Sequence, residues 1–245
     1  MSIMAEFTGR KAYKLHVEGN QASDKQDYAK AQEKHKAAAE LYAQAVAGGC
    51  KKPVILMAYG VLLLRLGRYQ EAKDIMLGVE KNPALTKEER KQLRLNYAIC
   101  CWKMGELDHA IELLKYSMQD GKNSMIYGSL GFMLVEKARQ TGDFAEEQAF
   151  NAEALDYDDE DAVVLDNIGQ MYLAMGEKDK ALENFTKAHE IKPHQVDTLY
   201  YLAKIATEDG DKAKAKEYIE TALKGNYSAL CTTTREMAQE LLKTL

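Results

Sequence analysis

The sequence predicts an all-α protein made of repeated helical hairpins, and three observations carry that prediction. Apolar residues recur at spacings of three, four and seven, and no long stretch alternates as a strand does. Only three of the 245 residues are proline, and the composition favours the helix formers Ala, Leu, Lys and Glu. The pattern also repeats at a fixed offset, since Gly176 and Ala181 return as Gly210 and Ala215, each 34 residues on.

The clearest unit runs from Asp161 to Pro193. Leu165, Ile168, Gly169 and Tyr172 form one helical face behind an N-cap at Asp161, and Met175-Gly176-Glu177 breaks that helix with a glycine able to take positive φ. Ala181, Phe185 and Ala188 give the face of a second helix, which Pro193 stops. Small and aromatic residues at these offsets, with a proline near the end, resemble the tetratricopeptide repeat, a family of helical hairpins. In such a hairpin Gly169 and Ala181 let the two helices approach while Tyr172 and Phe185 fill the space beside them, so a bulkier residue at Ala181 costs about 1–3 kcal/mol.

Measured against this unit, the rest of the chain falls into place in order. Residues 1–11 read as an N-terminal extension, followed by a single domain over 12–245 with approximate repeats 12–47, 53–86, 91–123, 124–161, 162–195 and 196–229 and a capping helix at 232–245. The first copy is degenerate: Leu15, Gly19, Tyr28, Ala31, His35 and Ala38 carry it, with His35 in the aromatic slot as a packing residue. The second (Leu56, Tyr59, Gly60, Leu63, Ala72, Met76) and third (Tyr97, Ala98, Cys101, Ala110, Leu114) match well, and Thr86-Lys87-Glu88-Glu89 offers an early start for the third.

In the fourth copy the turn glycine, Gly142, arrives four residues late, about one helical turn, so a longer first helix is expected there. Glu147 replaces the usual alanine and Asn151 the usual aromatic, which predicts loose packing of its second helix. Leu199, Leu202, Ala203, Ala215, Ile219 and Ala222 make the sixth copy. The amphipathic stripe of Met237, Ala238, Leu241, Leu242 and Leu245 then suits a terminal cap.

The resemblance implies a right-handed superhelical solenoid of about six hairpins with a C-terminal capping helix, acting as a non-enzymatic scaffold. Composition agrees with the exclusions. With 29% charged residues and a net charge of −5, no global field favours nucleic acid or an anionic membrane. There is no signal-peptide core at the N-terminus and no membrane-length apolar run, so a cytoplasmic protein is expected. Cys50, Cys100, Cys101 and Cys231 lack metal or disulfide spacing, and no phosphate loop, zinc helix or nucleophile elbow occurs. Neither an enzyme nor a cofactor is expected.

The fold supplies instead a concave face lined by the first helix of each hairpin. Positions one step from the packing face are Met57, Val61, Arg65, Leu95, Asn96, Ile99, Trp102, Lys103 and Phe132, an apolar set, followed by Asp166, Asn167, Gln170 and Tyr201, a polar one. These define an expected groove for a peptide or partner-protein segment, with apolar anchors near Met57, Ile99 and Trp102 and polar or basic groups toward Asp166 and Asn167; burial of the apolar residues between repeats is the competing reading. Gly19-Asn20 resembles the start of a carboxylate clamp used by some members of the family, but His16 stands where its lysine belongs and Ala58 where its second Asn belongs. The alternative function is a self-associating structural oligomer with no separate ligand.

Overall fold

In the computed structural model, which describes residues 3–227 and 229–245, thirteen α-helices follow one another and no strand occurs among the described residues. They are α1 (Ile3–Asp24), α2 (Tyr28–Ala47), α3 (Pro53–Arg65), α4 (Tyr69–Glu80), α5 (Lys87–Lys103), α6 (Leu107–Gln119), α7 (Ser124–Thr141), α8 (Ala145–Tyr157), α9 (Ala162–Ala174), α10 (Lys178–Ile191), α11 (Val196–Glu208), α12 (Lys212–Lys224) and α13 (Arg235–Thr244). The chain divides into two compact units, Met1–Leu113 and Leu114–Leu245.

Local chemistry sets the helix ends. Pro53 opens α3, where a missing N–H costs nothing. A reciprocal cap starts α5: the Glu89 N–H donates to Thr86 Oγ1 at 3.2 Å while the Thr86 N–H donates to Glu89 Oε2 at 2.8 Å. The longer first helix expected in the fourth hairpin is present, since α7 has 18 residues against 13 in α9. Its end at Gly142 takes φ 76°, a left-handed value that suits glycine.

In the first unit α1 pairs with α2 and α3 with α4, while α1, α3 and α5 lie side by side. Tyr42, Leu62, Leu63, Met76 and Ile99 are its largest buried side chains. In the second unit the hairpins are α7–α8, α9–α10 and α11–α12, with α7 on α9, α9 on α11 and α13 closing on α12. The close approach predicted at Gly169 is real: a Cβ there would lie 2.7 Å from the Phe185 ring.

The structure departs from expectation at α8. Glu147 and Asn151 are buried, and Asn151 Nδ2 donates to Glu147 Oε1 at 2.7 Å, so a polar pair occupies the place of the usual alanine and aromatic. Hydrophobic patterning has no vocabulary for such a pair and reads it as a defect.

At the C-terminal end, Asp197 Oδ1 accepts from the Thr232 N–H (3.1 Å), the Thr232 hydroxyl (3.0 Å) and the Thr233 N–H (2.7 Å), fastening the segment before α13 to the start of α11. Arg235 adds a cap, donating to the Leu223 carbonyl and lying 4.5 Å over the Tyr227 ring. Asp197→Ala is expected to lower the unfolding free energy by about 2–3 kcal/mol, because it strands two backbone donors. Asp197→Asn keeps the acceptor and should cost under about 1 kcal/mol; urea unfolding of both variants checks this.

Candidate functional site

The first helices of the hairpins present the expected positions, and burial sorts them. On the α1, α3 and α5 face, Met57, Val61, Trp102 and Lys103 are half-buried and Arg65 is exposed, whereas Leu95, Asn96 and Ile99 are buried in packing. Val54 on α3 and Tyr13 on α1 are more open, at 58% and 45% exposure. Lys103 Nζ sits 3.8 Å from the centroid of Trp102, which makes that ring part of a cationic surface.

Arg65 is the pivot of this face. Its Nη1 donates to Asn20 Oδ1 at 2.5 Å, and His35 Nε2 lies 3.0 Å from the same oxygen. His16 stands edge-on to His35 at 5.6 Å, and the paired rings continue to Tyr42 and Tyr59. Burial, then the neighbouring His35 and Arg65 charges, pull His16 down to about 4; burial and Arg65 lower His35 as well. Both imidazoles are therefore neutral near pH 7, and Arg65 supplies the cluster's positive charge. Burial lowers the Arg65 guanidinium, and the Asp24 charge acts against that. Spacing along a single helix gives His35 no second histidine; the hairpin brings His16 across from the other helix.

On the α7, α9 and α11 face the order is reversed. Phe132, Asp166, Asn167 and Gln170 are buried, and Tyr201, half-buried, stacks on Phe185 at 5.3 Å. Asn167 Nδ2 donates to the Gly128 carbonyl at 2.8 Å, tying α9 to α7. Thr198 Oγ1 donates to Asp166 Oδ1 at 2.6 Å, tying α11 to α9, and Gln170 Nε2 donates to Asp166 Oδ2 at 2.7 Å. Arg139 bonds Glu136 at 2.5 Å and Gln170 Oε1 at 3.3 Å. Burial, followed by Asp197, raises the Asp166 carboxyl. These polar side chains join neighbouring hairpins.

Among the described residues no group of three or more His, Cys, Asp or Glu could hold a metal ion, and no helix is long and apolar enough to cross a membrane. Burial pushes the thiols of Cys100 and Cys101 up to about 12 and about 11, away from the reactive thiolate.

Known proteins share this architecture. The family model described as "Tetratricopeptide repeat" matches residues 25–84. Among solved structures, the C-terminal part of a TPR repeat-containing protein from Cytophaga hutchinsonii superposes with a TM-score of 0.56, at 21% identity over 88% of this chain and 78% of that one. The chain has the fold of tetratricopeptide-repeat proteins. A structure of the APC/C hetero-tetramer Cut9–Hcn1 gives a TM-score of 0.60 at 15% identity, covering 95% of this repeat protein but only 46% of that chain. A second family model, "Regulator of microtubule dynamics protein 1-3", matches residues 177–245. The comparison with curated protein sequences finds no match. At these identities the structural likeness is one of fold.

Proposed function

We propose that this repeat protein is an interaction scaffold whose α1, α3 and α5 face holds a short segment of a partner protein. The reading rests on the company Arg65 keeps: a partly desolvated guanidinium bonded to a neutral Asn20, beside two neutral histidines, at the end of an apolar strip through Val54, Met57 and Val61. A segment with apolar side chains over Met57 and Val61 and an acidic group at Arg65 complements that strip, with Trp102 and Lys103 widening the contact. In the second unit Tyr201 is the accessible member of the expected groove, while Phe132, Asp166, Asn167 and Gln170 are buried in packing. A cytoplasmic setting and a non-catalytic role belong to the same reading. The C-terminal match to the regulator of microtubule dynamics family directs the first search for a partner to microtubule-associated fractions.

Capture from native lysate with wild type, Val54→Asp and Arg65→Glu tests it. Val54 is exposed, so Val54→Asp should leave melting unchanged, whereas Arg65→Glu forfeits the bond to Asn20 and should lower melting modestly; with each, partner recovery should fall at least about tenfold, a loss of roughly 1.4 kcal/mol or more. Full recovery by both variants would overturn the proposal. Self-association is the second reading, favoured by the exposed Ile3, Met4 and Phe7 on α1. Light scattering that shows a concentration-dependent dimer, abolished by Ile3→Asp with Phe7→Asp, would select it.

A further inference from the structure

We propose that α8 is a proton-controlled latch: neutral Glu147 holds it against α7 and α9, and ionised Glu147 releases it. The latch is independent of the peptide-groove reading and starts from a misfit in the packing. In the next hairpin the corresponding place is filled by Ala181, fully buried. Here a carboxyl group is 1% exposed, with Asn151 at 2%. Asn151 Nδ2 donates to Glu147 Oε1, which leaves Glu147 Oε2 and Asn151 Oδ1 both buried without a partner. The pair has two surplus acceptors and lacks a donor. A proton on Glu147 Oε2 turns one acceptor into that donor, whereas a negative charge there makes the shortage worse.

The surroundings do little to steady the charge. From α7, Arg139 is the cation whose field reaches Glu147, but its guanidinium is already engaged by Glu136 and Gln170. Elsewhere on α7, Tyr127 donates to Glu153. On α9, Asp166 is occupied by Thr198 and Gln170, and Tyr172 lies beneath Lys180. On α8 itself, Glu146 pairs with Lys115 and Glu153 with Lys122. Burial accordingly pushes Glu147 up to about 8, with Asn151 and Arg139 pulling the other way.

Release is mechanically available. The bond from Asn167 to the Gly128 carbonyl holds α9 to α7 without involving α8. When α8 leaves, Phe150 and Leu155 come off the cluster of Tyr127, Val164, Ile168 and Met171, and an apolar face opens between the first helices. The latch thus lets opening of α8 grow about tenfold for each pH unit up to about 8, exposing a surface that is otherwise covered.

Hydrogen exchange of the full chain at pH 7 and pH 9, corrected for intrinsic rates, reads this directly in α8 peptides, with α10 as internal control. Wild type should open α8 about tenfold more at pH 9 than at pH 7, the gain accumulating up to about pH 8 and levelling off above it. Glu147→Gln, the isostere of the neutral acid, should stay closed at both values, and so should Glu147→Ala, which restores the small residue. Equal protection of wild-type α8 at both pH values, or a Gln variant that opens as wild type does, would overturn the latch. Opening of both variants already at pH 7 would do so as well, by showing that neutrality at this position does not hold α8.

Discussion

Phe185→Ala should lower the unfolding free energy by about 3–5 kcal/mol, among the largest effects of any single side chain in the second unit. The ring is fully buried, fills the space over Gly169, stacks on Tyr201, and packs with Ala181, Leu202 and Ile205, so it joins three successive helices. Its removal leaves a cavity that the facing backbone cannot collapse into. The converse change is also informative. Gly169→Ala gains about 1 kcal/mol of helix propensity but sets a methyl 2.7 Å from the locked ring, at a cost of about 1–3 kcal/mol, so the net effect should be destabilising. In the double variant that methyl enters the cavity, and the two costs should sum to less than their separate values. Urea unfolding of the four proteins checks both signs.

The second large effect is a pH dependence of global stability that Glu147→Gln abolishes. The folded-state value is about 8 against 4.5 for the free side chain, so the folded protein keeps the proton where the unfolded chain loses it. Below pH 4.5 both states are protonated and the full stability is present. Between 4.5 and 8 stability falls as pH rises, and above 8 the contribution is gone. At about 1.4 kcal/mol for each pH unit of that interval the loss amounts to several kcal/mol, limited by the cost of undocking α8. Wild type and Glu147→Gln should therefore be nearly equal at pH 5, with the variant more stable by about 2–4 kcal/mol at pH 9. The raised Asp166 acts in the same direction in both proteins and cancels in the comparison. Denaturant unfolding over that range measures it, and parallel curves for the two proteins would refute the assignment to Glu147.

The hairpins were legible because their determinants are local. Asp161 as a cap, Gly176 at φ 80°, Thr86 with Glu89, and the late glycine that lengthens α7 each act within a turn or two of sequence. Candidate site residues were harder. A position one step off the packing stripe is equally compatible with an open face and with a contact between hairpins, and the distinction depends on how neighbouring first helices approach. That approach buries Ile99 and Phe132 and leaves Val61 partly open.

Tetratricopeptide-like hairpins can be read from the residues alone, because helical period, caps and turn glycines report on short-range physics. The roles of the polar residues depend on contacts between helices. Along the chain Asp166, Asn167 and Gln170 read as groove positions and Glu147 as a packing misfit, and each becomes a buried hydrogen-bonding group once neighbouring helices close over it. Desolvation, which sets the cost of their charge, is a property of that three-dimensional enclosure and has no counterpart along the chain.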